Sequence, residues 1–305
     1  MRSLVVFFLL VGVAHADAWP PWLVTASATQ FADGHGTQLA AYVHVELVSR
    51  DAKHAEIHVV GPLELWDEVN SDQLGALVCK AGALPAQPVH LDVGDVVTLR
   101  GGITDGKIPV RAVVTPHHGA APMTYDGTLP ADSLCTRDTQ RVESGEAVST
   151  VPKRHIALLD RPGGRTLYTL PADEFGFVLH LLEKKRGFSR VLVGPGPTLD
   201  GWVANTSYED GAGGFGYGNH ATVPDAIGLG WTGKAQRLVH VASGTEVRSG
   251  AQRIAVLHQG GYARVLADKA DRTEVMLAVD NDATVRGTVP VSALGAVVTD
   301  VASGR

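Results

Sequence analysis

The sequence predicts an all-β protein built from small repeated units, and three observations carry that prediction. The chain of 305 residues holds 35 Gly and 16 Pro but only 3 Met, a composition of many turns and few long helix-forming runs. Its apolar residues fall in short runs punctuated by turn signals. One ending also recurs in register, at Asp67 to Leu74, Gly127 to Leu134, Gly201 to Tyr208 and Gly287 to Leu294. Each copy reads turn residue, any residue, aliphatic, a mostly small or polar stretch, then a large apolar residue. Internal repetition of this kind decides architecture before any single residue does.

The N-terminus reads as a targeting segment. Arg2 gives a positive start, Leu4 to Val13 is an almost unbroken apolar run, and Ala14-His15-Ala16 presents small residues before Asp17. This is the pattern of a secretory signal cleaved between Ala16 and Asp17, and the run is too short for a spanning helix. No later stretch is long enough to span, so the mature chain is expected to be exported, periplasmic or secreted, and not membrane-spanning. The formal net charge of −6 becomes slightly more negative when Arg2 is removed. Scattered, mildly acidic charge gives no footprint for nucleic acid or an anionic membrane.

The two cysteines, Cys79 and Cys135, lie where export permits a disulfide. Cys135 directly follows the second ending, and Cys79 lies where the next unit starts. If the first and last strands of one small unit are neighbours, the two thiols face each other; two free thiols or an intermolecular bridge are the alternatives.

Reading back from each ending gives the units. Residues 17–76 offer Gln38 to Val48, Glu56 to Val60 and Leu63 to Leu65. Residues 77–137 offer Val89 to Leu91, Asp95 to Leu99 and Val110 to Val114. Residues 138–153 are polar and aperiodic, a linker. In 154–208, His155 to Leu159, Arg165 to Leu170, Phe175 to Leu182, Phe188 to Val193 and Leu199 to Val203 make a strand-dense unit, as in a small barrel or sandwich. Residues 209–234 are a Gly-rich linker. In 235–305, Gly261 to Leu266 repeats Gly187 to Leu192, and Leu294 to Val298 resembles Leu74 to Val78.

The unit at 154–208 resembles a bacterial Src-homology-3-like domain. Pro162-Gly163-Gly164, Gly187-Phe188-Ser189-Arg190-Val191 and Asp200-Gly201-Trp202-Val203 carry the resemblance, and Tyr208 departs from its closing Leu. Unit 235–305 keeps the first half of the pattern but has Thr288-Val289-Pro290 in place of Trp-Val. Unit 77–137 keeps Gly127 and Leu134, and unit 17–76 has Asp67 where the turn glycine belongs. The resemblance implies three to four tandem five-stranded barrels and an interaction module of the bacterial envelope, with peptidoglycan or a partner protein as ligand class. On this pattern Gly201 and Gly287 are expected to supply positive φ where the last strand is entered. Val203 and Val289 point inward, and a tight 3₁₀ turn follows.

Chemistry-bearing motifs are sparse. His117-His118 is the only adjacent histidine pair, short of the three or four ligands zinc needs. Gly211 to Gly216 matches a dinucleotide fingerprint in letters but lacks the strand and helix around it. Asn205-Thr206-Ser207 is a formal glycosylation sequon, read as a chance match. No nucleophile elbow or thiol-hydrolase setting occurs. The reading is a protein without catalysis, cofactor or metal. Trp202, with Tyr125 and Trp66 near comparable positions, is the candidate ligand-facing aromatic; packing against an adjacent barrel is its alternative role. A purely architectural envelope protein is the alternative function.

Overall fold

The computed structural model describes residues 19–20, 22–26, 29–30, 38–40, 43–51, 53–117, 119–135, 141–150, 155–171, 177–208, 237–279 and 283–299. The leader with its Ala16–Asp17 junction, His118 and the Gly-rich segment 209–234 lie outside these residues. The described chain is all-β, with strands in four sets of six and a final strand. The first set is β1 (Trp22–Thr25), β2 (Thr29–Gln30), β3 (Gln38–Leu39), β4 (His44–Arg50), β5 (His54–Val59) and β6 (Leu63–Asn70). The second is β7 (Leu74–Leu77), β8 (Gly82–Ala83), β9 (Val89–Leu91), β10 (Val96–Leu99), β11 (Lys107–Val114) and β12 (Met123–Pro130). The third is β13 (Glu146–Thr150), β14 (Ile156–Leu159), β15 (Thr166–Leu170), β16 (Phe177–Lys185), β17 (Phe188–Val193) and β18 (Thr198–Ala204). The fourth is β19 (Arg237–Val241), β20 (Thr245–Ser249), β21 (Gln252–Leu257), β22 (Gly261–Asp268), β23 (Arg272–Val279) and β24 (Ala283–Pro290), followed by β25 (Leu294–Thr299).

Each set has one internal order: a lead strand, a hairpin, then a three-stranded meander. The lead strand pairs with the first meander strand, as β1 with β4, β7 with β10, β13 with β16 and β19 with β22. Three meanders end in 3₁₀ turns, at Ser71–Gln73, Ala131–Ser133 and Val291–Ala293. The strand after the turn returns to the lead strand. β7 pairs with β1, β25 pairs with β19, and Leu134 bridges Val78. Across that last bridge the Cys79–Cys135 disulfide closes, with Cα atoms 5.1 Å apart.

The expected row of separate five-stranded barrels is not what the pairing gives. The strands form two large antiparallel sheets, and the sets share them. One path runs β12-β11-β10-β7-β1-β4-β5-β6-β21-β20-β24-β23-β22-β19-β25. The other runs β13-β16-β17-β18-β14-β15, with β9 also on β18. Two physical reasons stand behind the difference. β7 is at once the closing strand of the first set and the lead strand of the second, so the expected boundary at residue 76 falls inside it. The hairpins also reach across to other sets: β3 pairs with β24, β21 with β6, and β9 with β18. The first and fourth sets are thereby joined twice, reciprocally, and the second and third once.

Residues 138–153, read from the sequence as linker, contain β13. Its Glu146 and Ala147 are both exposed and Val148 is half-buried, so its first residues do not show the period-two alternation that marks a strand. Arg141, just before it, is an anchor. Its Nε lies 3.2 Å from Asp95 Oδ1, and its Nη1 donates to the Pro195 carbonyl. The chain passes so close that a Cβ on Gly94 would lie 2.7 Å from the Arg141 Cα.

The recurring glycine has a role other than the expected one. Gly201 and Gly287 are not in the left-handed region; the space above them is taken. A Cβ on Gly201 would meet Leu158 Cγ at 2.6 Å and the Leu159 carbonyl oxygen at 2.9 Å. On Gly287 it would meet Val247 Cγ1 at 2.6 Å and the Arg248 carbonyl oxygen at 2.9 Å, and on Gly127 it would meet Leu84 Cδ1 at 2.6 Å. In each case the obstacle belongs to that set's own hairpin segment. Two residues on, Leu129, Val203 and Val289 are buried in the core, as the alternation requires.

Two outcomes follow from this packing. Gly201→Ala and Gly287→Ala should each lose about 1–3 kcal/mol in urea denaturation, the usual cost of overpacking, while Gly196→Ala, where a Cβ meets nothing within 4 Å, should be near neutral. Alkylation without reductant should label no thiol, and reduction should lower stability by about 4 kcal/mol on the chain-entropy account.

Candidate functional site

Two polar centres form where sets meet. The first joins the first and fourth sets on the outer face of β4, β5 and β6. Alternation places Glu46, His58 and Trp66 side by side, since Glu46 pairs with His58 and His58 with Trp66. The His58 ring stacks on Trp66 with centroids 4.8 Å apart and planes 8° from parallel. Its Nδ1 lies 3.1 Å from Glu46 Oε2 and its Nε2 lies 2.9 Å from Glu64 Oε1. The β21–β6 pairing, with Leu257 opposite Leu63 and Val256 opposite Glu64, brings the fourth set alongside. His258 Nε2 then lies 2.8 Å from Glu64 Oε2, and the Arg253 guanidinium sits 5.1 Å from the Trp66 ring centroid.

The electrostatics follow from these contacts. Burial disfavours the imidazolium of His58, but hydrogen bonds to Glu46 and Glu64 outweigh it and raise its pKa above the ordinary histidine value. Glu64 is held below the usual carboxylate range by its hydrogen bonds from His258 and His58. A single carboxylate therefore bridges two histidines from different sets.

Beside this centre lies a groove of about 380 Å³ whose lining includes Asp51, His54, Glu56, Trp66, Glu68 and Gln252. Ser49 Oγ donates to Glu56 Oε2 at 3.2 Å, and His54 Nδ1 lies 3.6 Å from Glu68 Oε1. The backbone N–H groups of His54 and Lys53 donate to Asp51 and lower its pKa. Arg50 also lines the groove, but the groove's carboxylates outnumber that one guanidinium, and with an indole wall they make it suited to a cationic group with some apolar surface.

The second centre lies between the second and third sets. Asp92 and Asp95 are both buried. Burial pushes Asp95 up to about 6, although the Asp92 backbone N–H and Arg141 act against it. Asp92 is held low against its own burial by His90 and Ser144. Ser144, His90 and Asp92 are the residue types of a catalytic triad, but the geometry differs. His90 Nε2 lies 3.2 Å from Ser144 Oγ and 3.3 Å from Asp92 Oδ1. A relay needs one ring nitrogen for each partner; here one nitrogen serves both. Asp92 Oδ1 also accepts the Ser144 backbone N–H at 3.0 Å, which makes the trio a clasp for the segment entering β13.

The sequence-predicted aromatics are not brought together. Relative to the recurring Gly or Asp, Trp66 stands one residue before, Tyr125 two before and Trp202 one after. Tyr125 consequently lies on the core-facing side, packed against the buried cluster, with its hydroxyl toward Met123 Sδ. Trp202 is half-exposed on β18 with the Lys185 ammonium 4.8 Å from its ring centroid. Trp66 borders the groove but is itself stacked by His58. Of the three, Trp66 lines the groove described above.

The remaining motifs find local explanations. His117 Nε2 is 3.0 Å from the Tyr168 hydroxyl. Among the described residues no group of three or more His, Cys, Asp or Glu is placed to hold a metal ion. Asn205 of the sequon accepts a hydrogen bond from Ser189 Oγ at 2.8 Å. Tyr208, where the pattern has Leu, donates to the same Ser189 oxygen at 3.0 Å. The fourth set has Ala263 and Leu294 at these two places; the third set exchanges that apolar pair for a hydroxyl pair.

Sequence reasoning missed Glu46, His58, Glu64, Arg253 and His258. Alternation alone could have placed Glu46, His58, Glu64 and Trp66 on one face, but nothing local announces a partner 194 residues away. Comparison with protein families, curated proteins and solved structures finds no match for this chain. The disulfide suggests an oxidising, extracytoplasmic compartment, and among the described residues no helix is long and apolar enough to cross a membrane.

The raised His58 pKa gives a pH dependence of stability. A group whose folded pKa is raised contributes fully below its unfolded value and loses that contribution as pH rises through the folded one. The melting temperature should therefore fall as pH is raised from about 6 to about 8, and more steeply in the wild type than in His58→Gln. Equal slopes would remove His58 as the source.

Proposed function

We propose that this chain is a non-catalytic exported protein of the bacterial envelope. Its four strand sets are Src-homology-3-like units, and it acts as a binding or interaction module for peptidoglycan-type wall material or an envelope partner protein. The observation that carries the reading is the fourfold order of lead strand, hairpin and meander, with a closing 3₁₀ turn in three sets. That fourfold order supports reading all four sets as copies of one unit. The signal-like leader and the Cys79–Cys135 disulfide support export. The groove beside Trp66, lined by Asp51, Glu56 and Glu68, is the surface this reading assigns to the ligand. Its charge suits the free amines of wall peptides or a basic segment of a partner.

One observation favours the architectural alternative. Trp66 is stacked on His58 and lies beside Arg253 of the fourth set, and Trp202 lies beside Lys185. Both indoles thus have contacts within the chain. The two readings separate in one experiment. Mature protein should sediment with purified insoluble cell wall, and Glu56→Gln combined with Glu68→Gln should reduce the bound fraction several-fold without lowering the melting temperature. Both carboxylates are exposed, so their neutralisation removes charge and not packing. Wild-type protein that stays in the supernatant, both with cell wall and in pull-down from envelope extract, would favour the architectural role. Undiminished binding by the double variant would move the site away from the groove.

A further inference from the structure

β25 is a second copy of β7 that, among the described strands, has no counterpart of β7's second neighbour. The segments read Leu74-Gly75-Ala76-Leu77-Val78 and Leu294-Gly295-Ala296-Val297-Val298, and both follow a 3₁₀ turn. β7 is paired on both sides: to β1 through Leu74 and Gly75, and to β10 through Gly75, Ala76 and Leu77. All five residues Leu74 to Val78 are buried. β25 is paired with β19 alone among the described strands. Val297, which corresponds to the buried Leu77, is 51 % exposed.

The glycines make the same contrast. A Cβ on Gly75 would meet the Val97 carbonyl oxygen at 2.6 Å and Val96 Cγ1 at 2.9 Å, both on the second neighbour β10. A Cβ on Gly295 would have His240 Cβ at 3.4 Å as its nearest atom, and that belongs to β19. The edge of β25 carries no charge or proline of the kind that usually blunts an exposed strand; its one irregularity is the register shift against β19 between Val239 and Val241.

The strand that fills this place on β7 reads Val96-Val97-Thr98, and β25 itself contains Val297-Val298-Thr299. In the observed register Leu77 opposes Val96, Ala76 opposes Val97 and Gly75 opposes Thr98. Transferred to two antiparallel copies of β25, that register places Val297 opposite Val297, Ala296 opposite Val298 and Gly295 opposite Thr299. It is self-complementary about a two-fold axis at Val297, as an isologous contact requires. We propose that β25 is the interface of a homodimer, in which two copies of this chain pair edge to edge, antiparallel and centred on Val297. The occupant is a second copy because one six-residue strand carries both the accepting and the inserted sequence.

The test is self-association of the mature chain by sedimentation equilibrium, with Val297→Lys and Val297→Glu measured separately and mixed. The wild type should dimerise. Each variant should dissociate roughly tenfold more readily, because like charges would face each other across the axis, and the mixture should recover dimer. Hydrogen exchange on the wild type gives a second reading: residues 294–299 should gain protection as concentration rises. A wild type that is monomeric throughout overturns the proposal, as does a dimer indifferent to both substitutions. Protection of residues 294–299 that does not rise with concentration beyond the level pairing with β19 gives also overturns it.

Discussion

The close approach of a hairpin to the last strand of a meander is the contact on which the rest of this structure depends. At Gly127, Gly201 and Gly287 the strand surface is bare, and Leu84, Leu158 and Val247 occupy the space a side chain would take. With the hairpin held there, the meander is capped and the core residue two places on is sealed. At Gly201 and Gly287 a backbone carbonyl oxygen also stands at 2.9 Å, so a side chain there forces hairpin and meander apart; at Gly127 the obstacle is the Leu84 side chain alone. In the third and fourth sets the contact is also hydrogen-bonded, with Leu159 opposite Trp202 and Arg248 opposite Thr288. The first set is the exception that shows the rule. It has Asp67 at this place, and its hairpin strand β3 pairs with β24 of the fourth set.

That exception organises the molecule at the next scale. Because β3 reaches the fourth set, and β21 of the fourth set reaches β6, the two ends of the chain are tied by reciprocal strand pairing. Small units of about 60 residues bury a limited share of their surface and are marginal alone. Pairing hairpins across sets, and using β7 twice, turns surfaces that would be solvated into shared interior. The disulfide serves the same end at one point. It closes the second set where, among the described residues, the Val78–Leu134 bridge returns to the lead strand.

What the sequence revealed, and what it hid, follows the range of the interactions. Strand identity in β18 and β24 was legible because alternation is local, and Val203 and Val289 lie where it puts them. The recurring glycines were legible as a pattern, but their cause was not. Positive φ is a local property the sequence suggests, whereas a hairpin overhead is a tertiary fact it does not. β13 escaped notice since its exposed Glu146 and Ala147 give no periodic signal. The disulfide could be anticipated because both cysteines sit beside a recurring landmark. The Glu64 bridge between His58 and His258 could not, because its members are joined only through the pairing of β21 with β6.

The polar centres sit at these junctions for a physical reason. A junction between sets buries backbone edges and leaves side chains of two outer faces confronting one another, so charge there must be matched or removed. Between the second and third sets the match is Arg141, itself exposed, with the buried carboxylates of Asp92 and Asp95. Between the first and fourth it is Glu64 with two histidines, and it lies at the rim of an open groove. The junction of the first and fourth sets also adjoins a surplus of carboxylates, those of Asp51, Glu56 and Glu68. Most of that surplus is not consumed by ion pairs in the chain: Glu68 has a histidine at 3.6 Å, and Glu56 a serine hydroxyl. At the Asp92–Asp95 centre one guanidinium gathers the carboxylates of Asp92, Asp95 and Glu143, as a junction built only for architecture would. An excess of one sign beside an indole wall is the feature that architecture leaves unexplained, and it is on this excess that a binding role rests.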